Sequence, residues 1–307
     1  MSNIVKDVVI IGAGPGGLKS ARILKKNNID FVLLERGAPG GKVNIAPRVD
    51  NYPGQHEIYG PDLAFILFEQ AMNEGVTISG ENVLSVTKDK DLFIVETDQH
   101  TYNAKSVLVA SGTEEKKIGL DRETEMFGKG LSYCALCDGH FFEGQDVIVV
   151  GGGNSALKEA IFLTDICKTV YVVHRRNEFR GSKKNLDELL SKDNVKILTP
   201  YTPKEILGEN EFEGLIISHR ESGEEMIVKA NGFFPLIGQD PNTQFIKIEN
   251  VLDDYRCIPV DKKYMSTGCD GLFAIGDCLP RVIKQIYLAE HDATVATENI
   301  IKYLQGK

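Results

Sequence analysis

Cys134 and Cys137 stand two residues apart and are followed at once by Asp138 and Gly139. Two thiols at this spacing can cycle between disulfide and dithiol, and backbone N–H groups at a helix start lower the pKa of one of them. Zinc uses the same spacing, but a structural zinc takes four ligands. The sequence holds no second Cys-x-x-Cys and no His pair, and Cys167, Cys257, Cys269 and Cys278 stand singly. Redox chemistry is therefore the first reading of the pair, with zinc and inert packing as alternatives, and no metal is expected. Asp138 is a candidate proton donor, because a departing thiolate needs an acid within reach. Taken alone, such a residue is more often a helix-start carboxylate. The single cysteines read as core filling, with Cys278 noted because it follows Asp277 directly.

Two glycine turns flank this pair in the chain. The first is Gly12-Ala13-Gly14-Pro15-Gly16-Gly17, a G-x-G-x-x-G match through Gly12, Gly14 and Gly17. Its glycines permit a tight turn, the approach of a pyrophosphate to the backbone, and close helix–strand packing. Glu35 follows about twenty residues on, where a carboxylate accepts a hydrogen bond from a free ribose 2′-hydroxyl. The second turn runs through Gly151, Gly153 and, in the third place, Ala156, with Asn154 and Ser155 between. Its following strand ends in His174-Arg175-Arg176, with Arg180 close behind. Guanidinium groups there pair with a 2′-phosphate, whereas an acid would repel one. The bland alternatives are a solvated strand end for Glu35 and a solvated basic loop for the arginines. In context the first turn suits FAD and the second NADPH, so a chain with both moves hydride equivalents between them.

Positioning these turns requires strands before and after each. Asp7 to Ile11 is an apolar, β-branched run ending at Gly12; Leu18 to Lys26 reads as helix, and Phe31-Val32-Leu33-Leu34 as a second buried strand. The pattern returns with Asp146 to Val150, a helix over Leu157 to Thr164, and Thr169 to Val173. Each is a βαβ unit of a parallel sheet. Ser106 to Ser111 is a further strand leading to Gly112, Gly271 to Ile275 another leading to Gly276-Asp277, and Gln285 to Leu304 a helical tail. The fold class is α/β with two Rossmann-like nucleotide-binding domains. The second is expected to be inserted into a discontinuous first, so that the last strand joins the first sheet.

The composition is compatible with that class. The 307 residues carry 35 basic and 44 acidic side chains, a formal net charge of −9, which disfavours non-specific nucleic-acid binding. Hydrophobic residues at 42% and charged residues at 26% fit a globular protein, and no apolar run approaches the roughly 20 residues of a membrane helix. Six cysteines without a secretion signal point to a reducing compartment, the cytoplasm.

Taken together, these segments resemble the low-molecular-weight thioredoxin reductase family, nearly end to end. The likeness runs through Gly12 to Gly17, Gly40-Gly41 with Asp50-Asn51-Tyr52-Pro53-Gly54, Cys134 to Gly139, Gly151 to Ala156, and His174-Arg175-Arg176 with Arg180. It closes with Gly238, Pro241-Asn242-Thr243, Met265-Ser266-Thr267 and Gly276-Asp277. The resemblance implies a homodimeric flavoprotein with an FAD domain at 1–114 and 242–307 and an NADPH domain with the redox pair at 115–241. It implies that hydride passes from NADPH to FAD and electrons pass on to Cys134-Cys137 and then to thioredoxin or a thioredoxin-like protein. Cys137 would face the flavin, Cys134 would attack the substrate disulfide, and Asp138 would be the acid–base group. The flavin contacts it implies are Gly12, Gly14, Pro15, Gly17, Glu35, Gly41, Lys42, Asn51, Gly112, Gly276, Asp277, Lys284 and Gln285. The NADPH contacts are Gly151, Gly153, Asn154, Ser155, His174, Arg175, Arg176 and Arg180.

This chain departs from the family pattern at several places. Lys42 stands for the usual Gln, Asn154 for Asp, Cys278 for Val and Lys284 for Arg. Glu290-His291-Asp292-Ala293 replaces the usual small-residue helix start. The alternatives kept beside disulfide reduction are a flavin-dependent NADPH oxidase or dithiol oxidase of the same fold, and a non-catalytic redox-sensing flavoprotein. The three arginines argue against a pure dithiol oxidase, and the intact Cys134-Cys137-Asp138 set against a sensor.

Overall fold

The structure is a computed structural model that describes residues 3–46, 49, 51–55 and 57–306. The chain forms two compact units: 1–114 with 240–307, and 115–239 between them.

The first unit begins with strand β1 (Asn3–Ile11), helix α1 (Pro15–Lys26) and strand β2 (Phe31–Glu35). Val8, Val9 and Ile10 are fully buried and Ile11 nearly so, which explains a run with no polar alternation: both faces of the strand are packed in the core. Helix α1 has Pro15 in its first turn and Lys25 and Lys26 in its last. Proline costs nothing there because its missing N–H would have no partner, and the lysines complement the helix dipole. Helix α2 (Gly60–Asn73) and strands β3 (Ile78–Gly80), β4 (Val83–Asp89), β5 (Leu92–Thr97) and β6 (Thr101–Val109) follow. The sheet runs β3-β2-β1-β6-β5-β4. Pairings among β3, β2, β1 and β6 are parallel, and β4 and β5 add antiparallel strands at one edge.

After β7 (Thr113–Glu115) the chain enters the second unit. Helices α3 (Glu123–Met126) and α4 (Ala135–Asp138) precede β8 (Asp146–Val150), α5 (Asn154–Thr164), β9 (Thr169–Val173), α6 (Lys183–Leu190) and β10 (Val195–Leu198). Then come the antiparallel strands β11 (Tyr201–Leu207), β12 (Gly214–His219) and β13 (Glu225–Lys229), and β14 (Gly232–Pro235). The parallel sheet is ordered β10-β9-β8-β14. Its alternate residues serve two cores, as the two-residue period of a strand requires. Val147, Val149, Val170 and Val172 pack with Ala156, Leu157, Ala160 and Leu163 of α5. Ile148, Val150 and Val173 pack with Ile206, Leu215, Ile217 and Val228 of the antiparallel sheet.

The chain then returns through β15 (Gln239–Pro241), which pairs with β7, to β16 (Leu272–Ala274) and α7 (Ile286–Gln305). Strand β16 pairs parallel with β6, Leu272 opposite Val107, so the last strand completes the first sheet. The fold class read from the sequence holds: two nucleotide-binding βαβ units, one inserted into the other. Among the described residues, no helix is long and apolar enough to cross a membrane.

Candidate functional site

In the first unit the glycine turn links β1 to α1 at the C-terminal ends of the parallel strands, where open α/β sheets bind ligands. Gly12 has φ +103°, and a Cβ there would lie 2.5 Å from the Ala110 carbonyl oxygen. A Cβ on Gly17 would lie 1.8 Å from the Gly12 oxygen. Both positions are closed to any side chain by backbone. Gly14 is different: it is the N-cap of α1, no side chain caps that end, and nothing lies within 4 Å of its Cβ position. The two outer glycines hold the turn, and the middle one faces open space beside unpaired helix N–H groups, which fits a pyrophosphate.

Glu35 sits at the end of β2. Its Oε2 accepts from Ala13 N–H at 2.7 Å and its Oε1 from Gly37 N–H at 2.9 Å, so its carboxylate is fixed beside the turn. Gly40 N–H donates to Ala13 O, and the Cβ position of Gly41 lies 3.3 Å from Gly14 Cα, which brings the 40–42 loop against Gly14. Lys42 Nζ donates to Thr113 Oγ1 at 3.0 Å and pairs with Asp277 Oδ2 at 3.3 Å. The departure at 42 thus supplies a cation to the acid after Gly276. Asn51 Nδ2 donates to Gln285 Oε1 at 3.0 Å, at the N-cap of α7. Gly112, with φ +65°, accepts from Asn242 N–H. Lys284 is half-buried, near enough to Cys257 and Cys278 to favour their ionised forms. Asp50 lies outside the described residues.

The other departures here are structural. Asp292 is buried; its Oδ2 accepts from Gly276 N–H at 3.0 Å and pairs with Arg281 at 2.6 Å. Removing one partner of such a pair costs about 3–5 kcal/mol. Tyr52 O–H donates to the Glu290 carboxylate at 3.2 Å. Burial raises the Tyr52 hydroxyl to about 12, and the Glu290 charge adds to the rise. Cys278 is fully buried, and its thiol donates to Ile275 O at 3.2 Å. Burial pushes that thiol up to about 12, which makes it a packing residue.

In the second unit the turn from β8 to α5 repeats the logic. A Cβ on Gly151 would lie 2.4 Å from Leu236 O, while nothing lies within 4 Å of the Cβ position of Gly153, the uncapped N-cap of α5. Asn154 Oδ1 accepts from Ser182 N–H at 2.7 Å and from Asn185 Nδ2 at 3.3 Å, tying the turn to the start of α6; Ser155 is exposed. The N–H groups of Arg180 and Gly181 both donate to Gly152 O, at 2.8 and 3.0 Å. This pins the arginine loop onto the glycine turn. Arg175, Arg176 and Arg180 are exposed. A fourth arginine, Arg220, donates to the Arg175 carbonyl at 3.2 Å and was not among the residues picked out by sequence. His174 is buried, stacked on Phe179, and its ring would meet a Cβ at Gly152 at 2.4 Å. Burial lowers its pKa, and the three neighbouring arginines lower it further against a hydrogen bond to Glu178 O. Neutral His174 therefore supports the turn from beneath.

The redox turn belongs to the same unit. Cys134 is the N-cap of α4 and is disulfide-bonded to Cys137. Asp138 is buried, and the Ser132 hydroxyl donates to its Oδ2 at 2.5 Å. The same hydroxyl oxygen accepts from Cys134 N–H at 3.1 Å. Glu159, on α5, accepts from Ala135 N–H at 2.7 Å. Burial pushes its carboxyl up to about 7 against hydrogen bonds from the Ala135 and Leu136 amides, and the charge of Glu115 adds to the rise. Sequence reading missed Ser132 and Glu159. The available signal for Glu159 was a carboxylate three residues from each of Ala156 and Phe162's helical turn, beside the buried stripe of α5. Among the described residues, no cluster of three or more His, Cys, Asp or Glu side chains could hold a metal ion.

Comparison with known proteins adds the following. The pyridine nucleotide-disulphide oxidoreductase family matches residues 6–293. A thioredoxin reductase of Mycoplasma pneumoniae is 37% identical over 298 residues, covering 97% of this chain and 95% of its own. One from Bacillus subtilis is 35% identical, covering 98% and 95%. The crystal structure of thioredoxin reductase from Streptococcus pyogenes superposes with a TM-score of 0.91 at 35% identity, with all of both chains covered.

Proposed function

The chain belongs to the pyridine nucleotide-disulphide oxidoreductase family, and from that premise we propose that it is an NADPH-dependent, FAD-containing thioredoxin reductase. The observation that carries the proposal is the Cys134–Cys137 disulfide with buried Asp138 beside it, in a chain that also builds two open glycine turns. The turn at Gly14, with Glu35 beside it, would hold the pyrophosphate and ribose of FAD. Lys42 and Asp277 would lie along that cofactor. The turn at Gly153 would hold the NADPH pyrophosphate, with Arg175, Arg176 and Arg180 on the 2′-phosphate. When bound, the flavin supplies the two-electron link between nicotinamide and disulfide. A homodimer working in the cytoplasm completes the reading.

The protein's own part in the second half-reaction follows from thiol chemistry. The Cys134 thiolate of the reduced pair attacks the disulfide of thioredoxin, forming one S–S bond and breaking another. The departing thioredoxin thiolate takes the proton held by Asp138. Cys137 then displaces the remaining thioredoxin sulfur and restores the Cys134–Cys137 disulfide. Two electrons leave the pair and reduced thioredoxin is released. Within the redox turn, Cys137 and Asp138 N–H both donate to Cys134 O, at 3.2 and 3.1 Å.

The test is substitution at the pair. Cys134→Ser and Cys137→Ser are each expected to abolish thioredoxin reduction while NADPH still bleaches the flavin. Rapid re-oxidation of the flavin by thioredoxin in either variant would refute the assigned roles.

A further inference from the structure

Ser132 is a buried polar side chain for which the reaction as described has no use. Its exposure is 4%, as is that of Asp138. The backbone of Ser132 is held outside the redox turn: its N–H donates to Phe233 O at 2.9 Å, and Leu131 bridges to Phe233 of β14. The parallel sheet therefore sets where the Ser132 hydroxyl stands. From there it makes three contacts with the redox turn, accepting from Cys134 N–H at 3.1 Å, donating to Asp138 Oδ2 at 2.5 Å, and lying 3.4 Å from Cys134 O, a longer second acceptor. One side chain fixed by the sheet thus holds both the first residue of the pair and the acid that serves it.

We infer that Ser132 is a positioning residue for Asp138, holding one carboxylate oxygen by hydrogen bond and stabilising the ionised acid. The inference rests on the reading of Asp138 as the proton donor. A hydroxyl has one proton, and Oδ2 is much the closer of its two acceptors; with Ser132 donating there, the proton that Asp138 carries and delivers resides on Oδ1. When the thioredoxin thiolate departs, that proton moves to sulfur and Asp138 is left as a carboxylate. The Ser132 O–H bond becomes charge-assisted at that moment and strengthens. Without it, the ionised acid is left in a buried site short of one donor, and it holds its proton to higher pH. The other titratable groups of the elements packed on α4 are Lys158, which is exposed, and Glu159, both on α5, the Glu159 carboxylate being committed to the Ala135 amide, and His140 in the turn at 139–142.

The experiment uses the FAD-loaded holoenzyme, reduced with NADPH and mixed with oxidised thioredoxin in single turnover. Thioredoxin thiols are labelled after acid quench, and the rate is followed across pH. Wild type, Ser132→Ala, Ser132→Thr and Asp138→Asn are compared, with thermal melts of each. Loss of one hydrogen bond to a charged group is expected to move the Asp138 limb of the Ser132→Ala profile upward by about one pH unit. Ser132→Thr keeps the hydroxyl and should return the limb to its wild-type position, and Asp138→Asn should remove the limb. A purely structural serine would lower the melting temperature or scale the rate at every pH without moving the limb. If Asp138→Asn removes the limb and Ser132→Ala leaves it in place, the inference fails while the role of Asp138 stands. Equal displacement in Ser132→Ala and Ser132→Thr would also overturn it, by assigning the effect to packing. Retention of the limb in Asp138→Asn would overturn the reading of Asp138 itself.

Discussion

Gly14 and Gly17 differ by three positions and should fail in opposite ways when changed to alanine. At Gly17 the new Cβ would stand 1.8 Å from the Gly12 carbonyl oxygen, about 1.6 Å inside the 3.4 Å at which ordinary contact begins. The obstructing atom is backbone of the turn itself, so relief means moving α1 from β1. Overpacking of this severity costs about 3 kcal/mol, the upper end of the usual range. At roughly 2–4 °C per kcal/mol for a unit of this size, the apoprotein should melt about 6–12 °C lower. At Gly14 nothing lies within 4 Å of the new Cβ, and its φ of −70° suits any residue. The apoprotein should lose only the difference between two helix caps, about 1 kcal/mol or less. The open space at Gly14 is where the pyrophosphate must pass, so FAD affinity should fall at least about tenfold, equivalent to about 1.4 kcal/mol. The assay pairs apoprotein melts with FAD titration by flavin fluorescence. Wild-type FAD affinity in Gly14→Ala, or a wild-type melt in Gly17→Ala, would refute the division of labour between the glycines.

Changing Arg175 and Arg176 together to alanine should raise the KM for NADPH well above any change for NADH; equal losses would remove the 2′-phosphate from the account. A buried and a half-buried carboxylate predict opposite pH windows. Burial opposes ionisation of Glu81, but hydrogen bonds from Ser79, Thr97, Tyr102 and His100 outweigh it and hold its pKa at about 2. Its contribution, up to roughly 3 kcal/mol, is present above the unfolded value near 4.5 and is lost as pH falls toward 2. Glu81→Gln should flatten that acid limb of the stability curve, and an unchanged limb would contradict it. Glu159, raised to about 7, binds its proton more tightly when folded, so stability should fall as pH rises from about 4.5 to 7. Glu159→Gln should remove that slope in urea melts, and a slope kept by the variant would contradict it.

The two βαβ units are legible in the sequence because each rests on local signals: a continuous apolar strand, a glycine turn and a helix within about thirty residues. The contacts that assemble the sites are not local. In the first unit Lys42 meets Asp277 and Asn51 meets Gln285 only because the fold brings distant loops together, and in the second Glu159 meets Ala135 through the packing of α5 on α4. The antiparallel strands β11 to β13 carry alternation broken by Pro203 and a bulge at Pro203/Glu205, and they escape a reading by period. His174 shows the reverse case. Among basic neighbours it reads as part of a phosphate loop, yet it continues the Val170–Val172 alternation of β9, and that face is buried. The two-residue period puts His174 on the buried face, and the structure shows its ring under Gly152. Ser132 carries no pattern of its own, because its importance comes from the strand beneath it and the acid six residues on.

The central claim is that electrons from NADPH reach thioredoxin through Cys134 and Cys137. It is tested most directly by NADPH consumption of the FAD-loaded protein, with and without thioredoxin from the same cell and with NADH in parallel. The account predicts consumption that depends on thioredoxin and prefers NADPH. Consumption that proceeds equally without thioredoxin, or none despite bound flavin, would contradict it.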